Sequence, residues 1–109
     1  LIMNIMQKKA TKEIMPGAHR DEDLRFCSAL TTVTNQNDVY VNNKLWAVEG
    51  DPETHGNGQL IAVYGEKNVY IHGKHVICAV GDQAQPDDAN HPPPPTDPET
   101  ASPNVFVYG

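Results

Sequence analysis

The sequence has little positive charge, few aromatic side chains and only two cysteines. Lysine and arginine total 8 against 14 acidic residues, which gives a formal net charge of −6 at pH 7. A chain with this balance has no basic patch to neutralise phosphates, so we expect no nucleic-acid partner. Cys27 and Cys78 do not form a CxxC motif. A disulfide between them and a reduced state with one cysteine used as a metal ligand both stay open.

Long apolar runs are also missing. No stretch approaches the ~18 residues of a membrane-spanning helix, and no signal-peptide layout is present. The 109 residues include 8 glycines and 9 prolines, a composition that favours short strands and tight turns over helices. With an apolar content of 39%, the single domain buries a small core, so a bound metal or a partner surface would add useful stability.

The clearest pattern in the chain is an internal repeat. Residues 39–58 read VYVNNKLWAVEGDPETHGNG, and residues 69–82 read VYIHGKHVICAVGD. Both have a β-prone segment, a turn dipeptide, a lysine, an apolar run and Gly-Asp, in that order. Repetition with a period of this length predicts an architecture built from similar supersecondary units. We interpret each unit as a β-hairpin followed by a loop.

Two partial copies flank these repeats. Residues 15–27, MPGAHRDEDLRFC, align from the returning strand onward, and the closing NVFVYG of residues 104–109 matches an outgoing strand. The two ends of the chain are therefore expected to form the third hairpin. The predicted fold is all-β: three hairpins in a pseudo-threefold, cone-shaped arrangement that tapers to a metal-bound tip. Residues 1–14 have weak helical periodicity and are predicted to be an arm outside the 15–109 domain, either partly ordered or used for docking.

One candidate metal ligand lies on each of the three loops that follow the hairpins. Cys27 and His55 stand at the same repeat position, four residues after an aspartate, and His91 belongs to a proline-rich insertion at residues 83–103. Zinc prefers four tetrahedral N and S donors and stabilises small folds. We predict a structural zinc site from these three residues, with His19 as the fourth ligand.

Each ligand assignment has a plainer alternative. Cys27 is otherwise a small buried residue, His55 a solvated loop histidine, His91 part of a linker, and His19 a histidine satisfied within the core. The remaining candidates are predicted to be structural: Cys78 in the core, and His72 and His75 on the surface. The repeat alignment pairs His19 with Ala47 and Cys78, although one extra residue in the later copy permits a bulge.

Three aspartates follow the apolar runs at repeat-equivalent positions: Asp23, Asp51 and Asp82. A cluster of catalytic carboxylates is one interpretation, but capping of the loops by bonds to backbone N–H groups is the favoured one. The chain has no Ser/His/Asp order and no phosphate-binding loop. We therefore expect no enzymatic activity; a zinc hydrolase would need an open coordination position and a nearby general base.

Residues 15 to 109 resemble the PAAR-repeat proteins, most specifically in VNNKLWAVEGDPETHG. The resemblance implies a cone that sharpens the tip of a contractile injection machine, with zinc held near the apex by three His and one Cys. Carried over, it favours Cys27, His55 and His91, with His19 completing the set. The chain departs from the family pattern at Glu22, which replaces the glycine of the first Gly-Asp, and in its long third loop. It also lacks the Pro-Ala signature, whose nearest approach is MPGA at residues 15–18.

The same resemblance implies partners and a location. The wide base would bind a trimeric β-helical spike as one monomer on one trimer. The tip would contact the target outer membrane transiently and help to pierce the target cell envelope. Because the sequence ends directly after NVFVYG, we expect a phage tail tip in the virion rather than a type VI secretion tip that carries a toxin domain. The alternative is a type VI spike tip that acts as an adaptor for effector cargo.

Overall fold

The computed structural model describes residues 16–65 and 68–107, and within these ranges the chain is all-strand with no helix. The all-β prediction is thus confirmed at this level. Eight two-residue strands form four antiparallel pairs: β1 with β7, β2 with β3, β4 with β8 and β5 with β6. Their bounds are Gly17–Ala18 (β1), Tyr40–Val41 (β2), Lys44–Leu45 (β3), Leu60–Ile61 (β4), Tyr70–Ile71 (β5), Lys74–His75 (β6), Cys78–Ala79 (β7) and Gln83–Ala84 (β8). The predicted arm, residues 1–14, lies outside the described residues.

The two predicted hairpins are present with the predicted turn dipeptides. Asn42 and Asn43 join β2 to β3 with φ of 53° and 66°, and His72 and Gly73 join β5 to β6 with φ of 52° and 78°. Positive φ at both central residues defines the two-residue turn whose twist suits a hairpin. Glycine, asparagine and, less often, histidine adopt this left-handed region, which explains why these dipeptides mark the turns.

The two ends of the described chain pair with each other, which confirms the predicted third hairpin. Gly17 forms an antiparallel bridge with Phe106, and Ala18 N donates to Val105 O at 2.8 Å. The adjacent carbonyl of Ser102 lies 2.5 Å from where a Cβ of Gly17 would stand, so this close crossing requires glycine. Tyr108 and Gly109 of the predicted strand lie outside the described residues.

The segments that return from the three hairpin turns, at residues 17–20, 46–48 and 76–79, pair in a closed cycle, each with the other two. One backbone hydrogen bond joins each pair of segments: His19 N donates to Ile77 O, Ile77 N to Ala47 O, and Ala47 N to His19 O, at 2.9–3.0 Å. His19, Ala47 and Ile77 are therefore the equivalent positions, and all three are fully buried. The alignment of His19 with Cys78 is wrong by one residue. The pairs that make up the cycle are β1 with β7, Arg20 with Trp46, and Val48 with Val76.

Each returning segment ends in the same aspartate-capped turn. The carboxylates of Asp23, Asp51 and Asp82 each accept a 2.8 Å bond from a backbone N–H three or four residues earlier. Asp51 also accepts bonds from two backbone N–H groups of the preceding loop, as does Asp82. The capping interpretation of these aspartates is confirmed. The four-residue spacing at Asp82 accommodates the extra residue of its repeat.

The apolar core lies among the strands and consists of two small clusters. Cys78 is fully buried in the second cluster, as predicted, and forms no disulfide with Cys27. His72 is exposed and His75 partly exposed, which confirms their surface placement. The first cluster contains Val33, Ala47, Leu60, Ile77 and Ala84, and the second contains Val48, Ile71, Val76, Cys78 and Val107. Residues 16–65 and 68–107 form no helix that could cross a membrane.

Candidate metal centre

Three five-residue turns lie beyond the capping aspartates, at residues 25–29, 53–57 and 87–91. In each turn the first N–H donates to the carbonyl of the fifth residue, at 2.8 Å, 3.0 Å and 3.3 Å in chain order. In each turn the fourth N–H also donates back to the first carbonyl, at 2.9–3.1 Å. The three loops therefore share one backbone conformation, even though their sequences RFCSA, ETHGN and DDANH have no residue in common at equivalent positions.

The turns are held against one another by a second closed cycle of antiparallel bridges. Every loop bridges to the other two, so side chains from three distant parts of the sequence meet. The bridges join Thr31 to Glu53, Asn57 to Asp87, and Arg25 to Pro98.

Four side chains from these turns form a candidate metal centre: Cys27, His55, Asp87 and His91. One donor atom from each lies within 4.8 Å of all the others. Asp87 Oδ2 lies 3.7 Å from Cys27 Sγ, 3.3 Å from His55 Nδ1 and 3.2 Å from His91 Nδ1. Cys27 Sγ lies 3.8 Å from His55 Nδ1. Asp87 is buried, whereas the two imidazoles are about one-third exposed, at 32% and 37%.

These spacings fit a tetrahedral ion. Bonds of about 2.0–2.3 Å to N, O and S donors place neighbouring ligands about 3.3–3.8 Å apart. Four of the six donor–donor distances, 3.2–3.8 Å, are close to that range, and the two pairs of His91 Nδ1 with Cys27 and His55 lie within 4.8 Å. Two imidazoles, a thiolate and a carboxylate are all donors that zinc accepts, so the four residues could hold Zn²⁺.

The structure brings together three of the four predicted ligands and places His19 elsewhere. His19 is fully buried, with Nδ1 2.6 Å from Thr100 O and Nε2 2.6 Å from Thr31 Oγ1. Because a carbonyl only accepts, Nδ1 carries the proton and Nε2 accepts from the threonine hydroxyl. Burial lowers the pKa of His19 to about 4, with a further contribution from the positive charge of Arg25. His19 is thus a neutral, satisfied core histidine rather than a member of the donor group.

The fourth member of the group is Asp87, which the sequence reasoning missed. Its Oδ1 accepts from the N–H groups of Ala89 and His91, and its Oδ2 faces the other donors. The same carboxylate therefore shapes the turn and contributes to the centre. The sequence feature that could have identified Asp87 is its spacing from His91, as the first and fifth residues of one turn. The prolines around this turn made the spacing hard to recognise.

Arg25 lies beneath the centre and connects the three loops. Its side chain is fully buried, and Nη1 donates to Gly58 O at 2.8 Å and to Thr96 O at 3.0 Å. Its Nε donates to Thr31 Oγ1 at 2.6 Å, the same hydroxyl that bonds His19. A buried guanidinium is stable only when its donors are satisfied, and here carbonyls from loops two and three satisfy most of them.

The centre concentrates negative charge. Burial raises the pKa of the Cys27 thiol, and the nearby carboxylates of Glu53 and Asp87 raise it further. Burial and the adjacent Asp87 likewise raise the pKa of Glu53 to about 7. Burial also acts to raise the pKa of Asp87, but the interaction with Glu53 and hydrogen bonds from His91 and His55 outweigh it and hold that pKa well below its usual range. Acidic groups packed this closely favour a bound cation.

Comparison with known proteins assigns no family. No model of a known protein family matches the chain, and no curated protein matches it.

Proposed function

We propose that this chain is a zinc-stabilised tip protein that caps the trimeric β-helical spike of a contractile injection machine, most simply a phage tail. The observation that carries the proposal is the meeting of four metal donors from three repeat-related turns. Cys27 represents the first loop, His55 the second, and Asp87 and His91 the third. A pseudo-threefold chain with a metal site where its three loops meet is what the resemblance to PAAR-repeat proteins implies.

The chemistry of the loop end supports a mechanical role. The buried side chains beneath the donors are polar, among them Arg25, Thr31 and Thr96. A narrowing body has little volume there for an apolar core, and a bound ion would supply a cross-link between three loops. Cys27, His55, Asp87 and His91 would hold that ion from loops already fixed by backbone bridges, so that the cone resists local opening under axial force.

The outgoing strands of the three hairpins offer a surface for the spike. Tyr40, Tyr70 and Phe106 occupy equivalent positions there and are 60%, 53% and 47% exposed. Exposed aromatic side chains in a repeated arrangement are typical of protein interfaces. One monomer with three similar faces suits the end of a trimer. These strands precede the returning segments, whereas the metal donors follow them, so base and tip would lie at opposite ends of the hairpins.

The proposed role is not catalytic. The loops supply at least the four donors that zinc prefers, which would leave no open position for a substrate. The alternative function, a type VI spike tip that recruits effector cargo, makes a different prediction: an effector would bind the chain while the chain is bound to its spike.

The proposal is tested by mixing the purified chain with a trimeric β-helical spike protein from a contractile tail. We expect native mass spectrometry to show one chain per three spike subunits. The double variant Tyr40→Lys, Tyr70→Lys should lose the complex and keep its zinc. Val63→Lys is the matched control, because Val63 is exposed but lies outside the outgoing strands. A wild-type chain that binds no spike, or a complex that the double variant leaves intact, would contradict this assignment.

A further inference from the structure

A second acid, Glu53, lies against the donor group. Its side chain is fully buried, with Oε1 3.6 Å from His55 Nδ1 and Oε2 3.8 Å from Cys27 Sγ. Glu53 therefore lies beside donors of the first two loops, and it is close enough to Asp87 of the third loop to shift the pKa of that carboxyl group.

One oxygen of Glu53 has no hydrogen-bond partner within residues 16–65 and 68–107. Oε2 faces Arg25 Nη1 at 3.4 Å, but Oε1 is the one buried side-chain polar atom of this part of the chain that stays unsatisfied. Leaving a carboxylate oxygen buried and unpaired is strongly unfavourable. Arg25 does not resolve it, because its nitrogens are directed to Thr31 and to several backbone carbonyls. A cation beside His55 Nδ1 would satisfy this oxygen.

The repeat relation gives an independent reason to assign Glu53 to the centre. Glu53 is the first residue of the second turn, and the first residue of the third turn is Asp87, which already belongs to the donor group. The equivalent position of the first turn is Arg25. The first positions thus form an inner layer of two carboxylates and one guanidinium under the Cys27 and His55 donors.

The backbone makes room for Glu53. A Cβ at Gly58 would lie 2.6 Å from Cγ and Oε2 of Glu53, and Gly58 has a φ of +65°. Any other residue at position 58 would press on the buried carboxylate and strain its own backbone. The absence of a side chain there keeps Glu53 turned inward.

We propose that Glu53 Oε1 is a fifth, inner donor of the metal centre, which then has two nitrogens, one sulfur and two carboxylate oxygens. The inference rests on the proposed metal centre. With a divalent ion and the Arg25 guanidinium, the negative charges of the Cys27 thiolate, Asp87 and Glu53 are balanced. This donor set departs from the closed four-ligand site of most structural zinc proteins.

Cobalt(II) is the probe, because the intensity of its visible d–d absorption falls as the coordination number rises above four. The full chain, stripped of metal and titrated with Co²⁺, should give the weaker spectrum of a five-coordinate ion. Glu53→Gln should shift the spectrum to the more intense tetrahedral form and weaken Co²⁺ affinity by about tenfold or more. Asp88→Asn is the matched control: Asp88 is an exposed acid in the third turn, bonded to Asn57, and its loss should change neither quantity.

The wild-type spectrum decides the question even if Glu53→Gln fails to fold. A tetrahedral spectrum from the wild-type chain overturns the fifth donor and leaves the four-donor centre in place. Equal spectra and Co²⁺ affinities for Glu53→Gln and wild type would also overturn the fifth donor and leave the four-donor centre in place. A wild-type chain that binds no Co²⁺ and no Zn²⁺ overturns the metal centre itself, and Glu53 with it.

Discussion

Two regions of this molecule are stabilised in different ways: the strand region, formed by β1–β8, and the loop end, formed by the turns at residues 25–29, 53–57 and 87–91. Among the strands the buried side chains are apolar, and Ile77, Val48 and Val76 are fully enclosed. At the loop end the largest buried side chain is Arg25, and carboxylates lie nearby. The same repeat thus changes from apolar burial to polar networks within a few residues.

This difference shows that the stability of the loop end depends on specific hydrogen-bond and ionic partners, whereas the stability of the strand region does not. Apolar contacts are non-directional and tolerate small shifts, whereas a buried charge destabilises the fold as soon as one partner leaves. The strand region should therefore respond to lost volume, and the loop end to lost hydrogen bonds, charge or metal.

The largest expected effect comes from removing the guanidinium of the loop end. Arg25→Met should lower the free energy of unfolding by about 3–5 kcal/mol, because it leaves buried acids and carbonyls without their donor. Urea denaturation would measure it. Lys74→Met is the control, since Lys74 is an exposed residue of β6 and should change stability by less than about 0.5 kcal/mol. Equal stability of the Arg25 variant and wild type would show that the polar network contributes little.

Zinc should separate the two regions directly. At a free Zn²⁺ concentration about a thousandfold above Kd, the free energy of unfolding should rise by about 4 kcal/mol. Cys27→Ala and His55→Ala should abolish the gain in stability from zinc. The core variant Ile77→Ala should lose about 2–5 kcal/mol of stability, but zinc should still stabilise it by the same amount. Amide hydrogen exchange with and without zinc locates the gain. Protection confined to the strand pairs would contradict a loop-end site.

A change of pH probes the buried histidine that connects the two regions. Free histidine has a pKa near 6.5, and His19 in the folded chain has a pKa of about 4. The unfolded chain therefore binds the proton first, so the contribution of His19 is complete above about pH 6.5 and is lost as pH falls towards 4. The loss amounts to about 1.4 kcal/mol per pH unit, or about 3 kcal/mol in all.

This pH dependence is measured by urea denaturation of metal-free protein between pH 7 and 4. The difference between wild type and His19→Gln should shrink across that range. His72→Gln is the control, because His72 is exposed on a hairpin turn. A constant difference between wild type and His19→Gln would mean that His19 titrates normally.

The smallest expected effect concerns the hairpin turns. Asn43→Val places a β-branched residue at a φ of 66° and should cost about 1–2 kcal/mol. Zinc affinity should not change, because the turn is separated from the loops by the returning segment. Asn37→Val, at an exposed position without positive φ, should have little effect on thermal or urea denaturation. Loss of zinc binding in Asn43→Val would show that the two regions are coupled.

Local patterns were sufficient to predict much of the fold. Asn42-Asn43 and His72-Gly73 signal turns that need positive φ, and the Gly-Asp sequences signal backbone capping, whatever the rest of the chain does. The repeat then implied that the chain ends pair, as Gly17 and Phe106 do. These features are encoded in a few adjacent residues, so the sequence alone was enough.

The donor group was predictable only in part. Cys27 and His55 occupy the third position of their turns, but Ala89 occupies it in the third turn. There the turn begins five residues after Asp82, instead of two residues after Asp23 or Asp51, and the donors move to its first and fifth positions. Sequence spacing therefore indicated His91 but not Asp87. It suggested His19 as the fourth donor, a position that Asp87 occupies in the structure.

The sequence by itself determined the repeat, its hairpin turns, its aspartate caps and the presence of a metal-binding type of residue on each loop. Only the tertiary structure decided which of those residues meet. Two closed cycles of backbone pairing set the depth of each side chain: they bury His19 between Thr31 and Thr100 and bring Asp87 and Glu53 to Cys27 and His55. Such convergence depends on contacts between residues far apart in the chain, which no local pattern records.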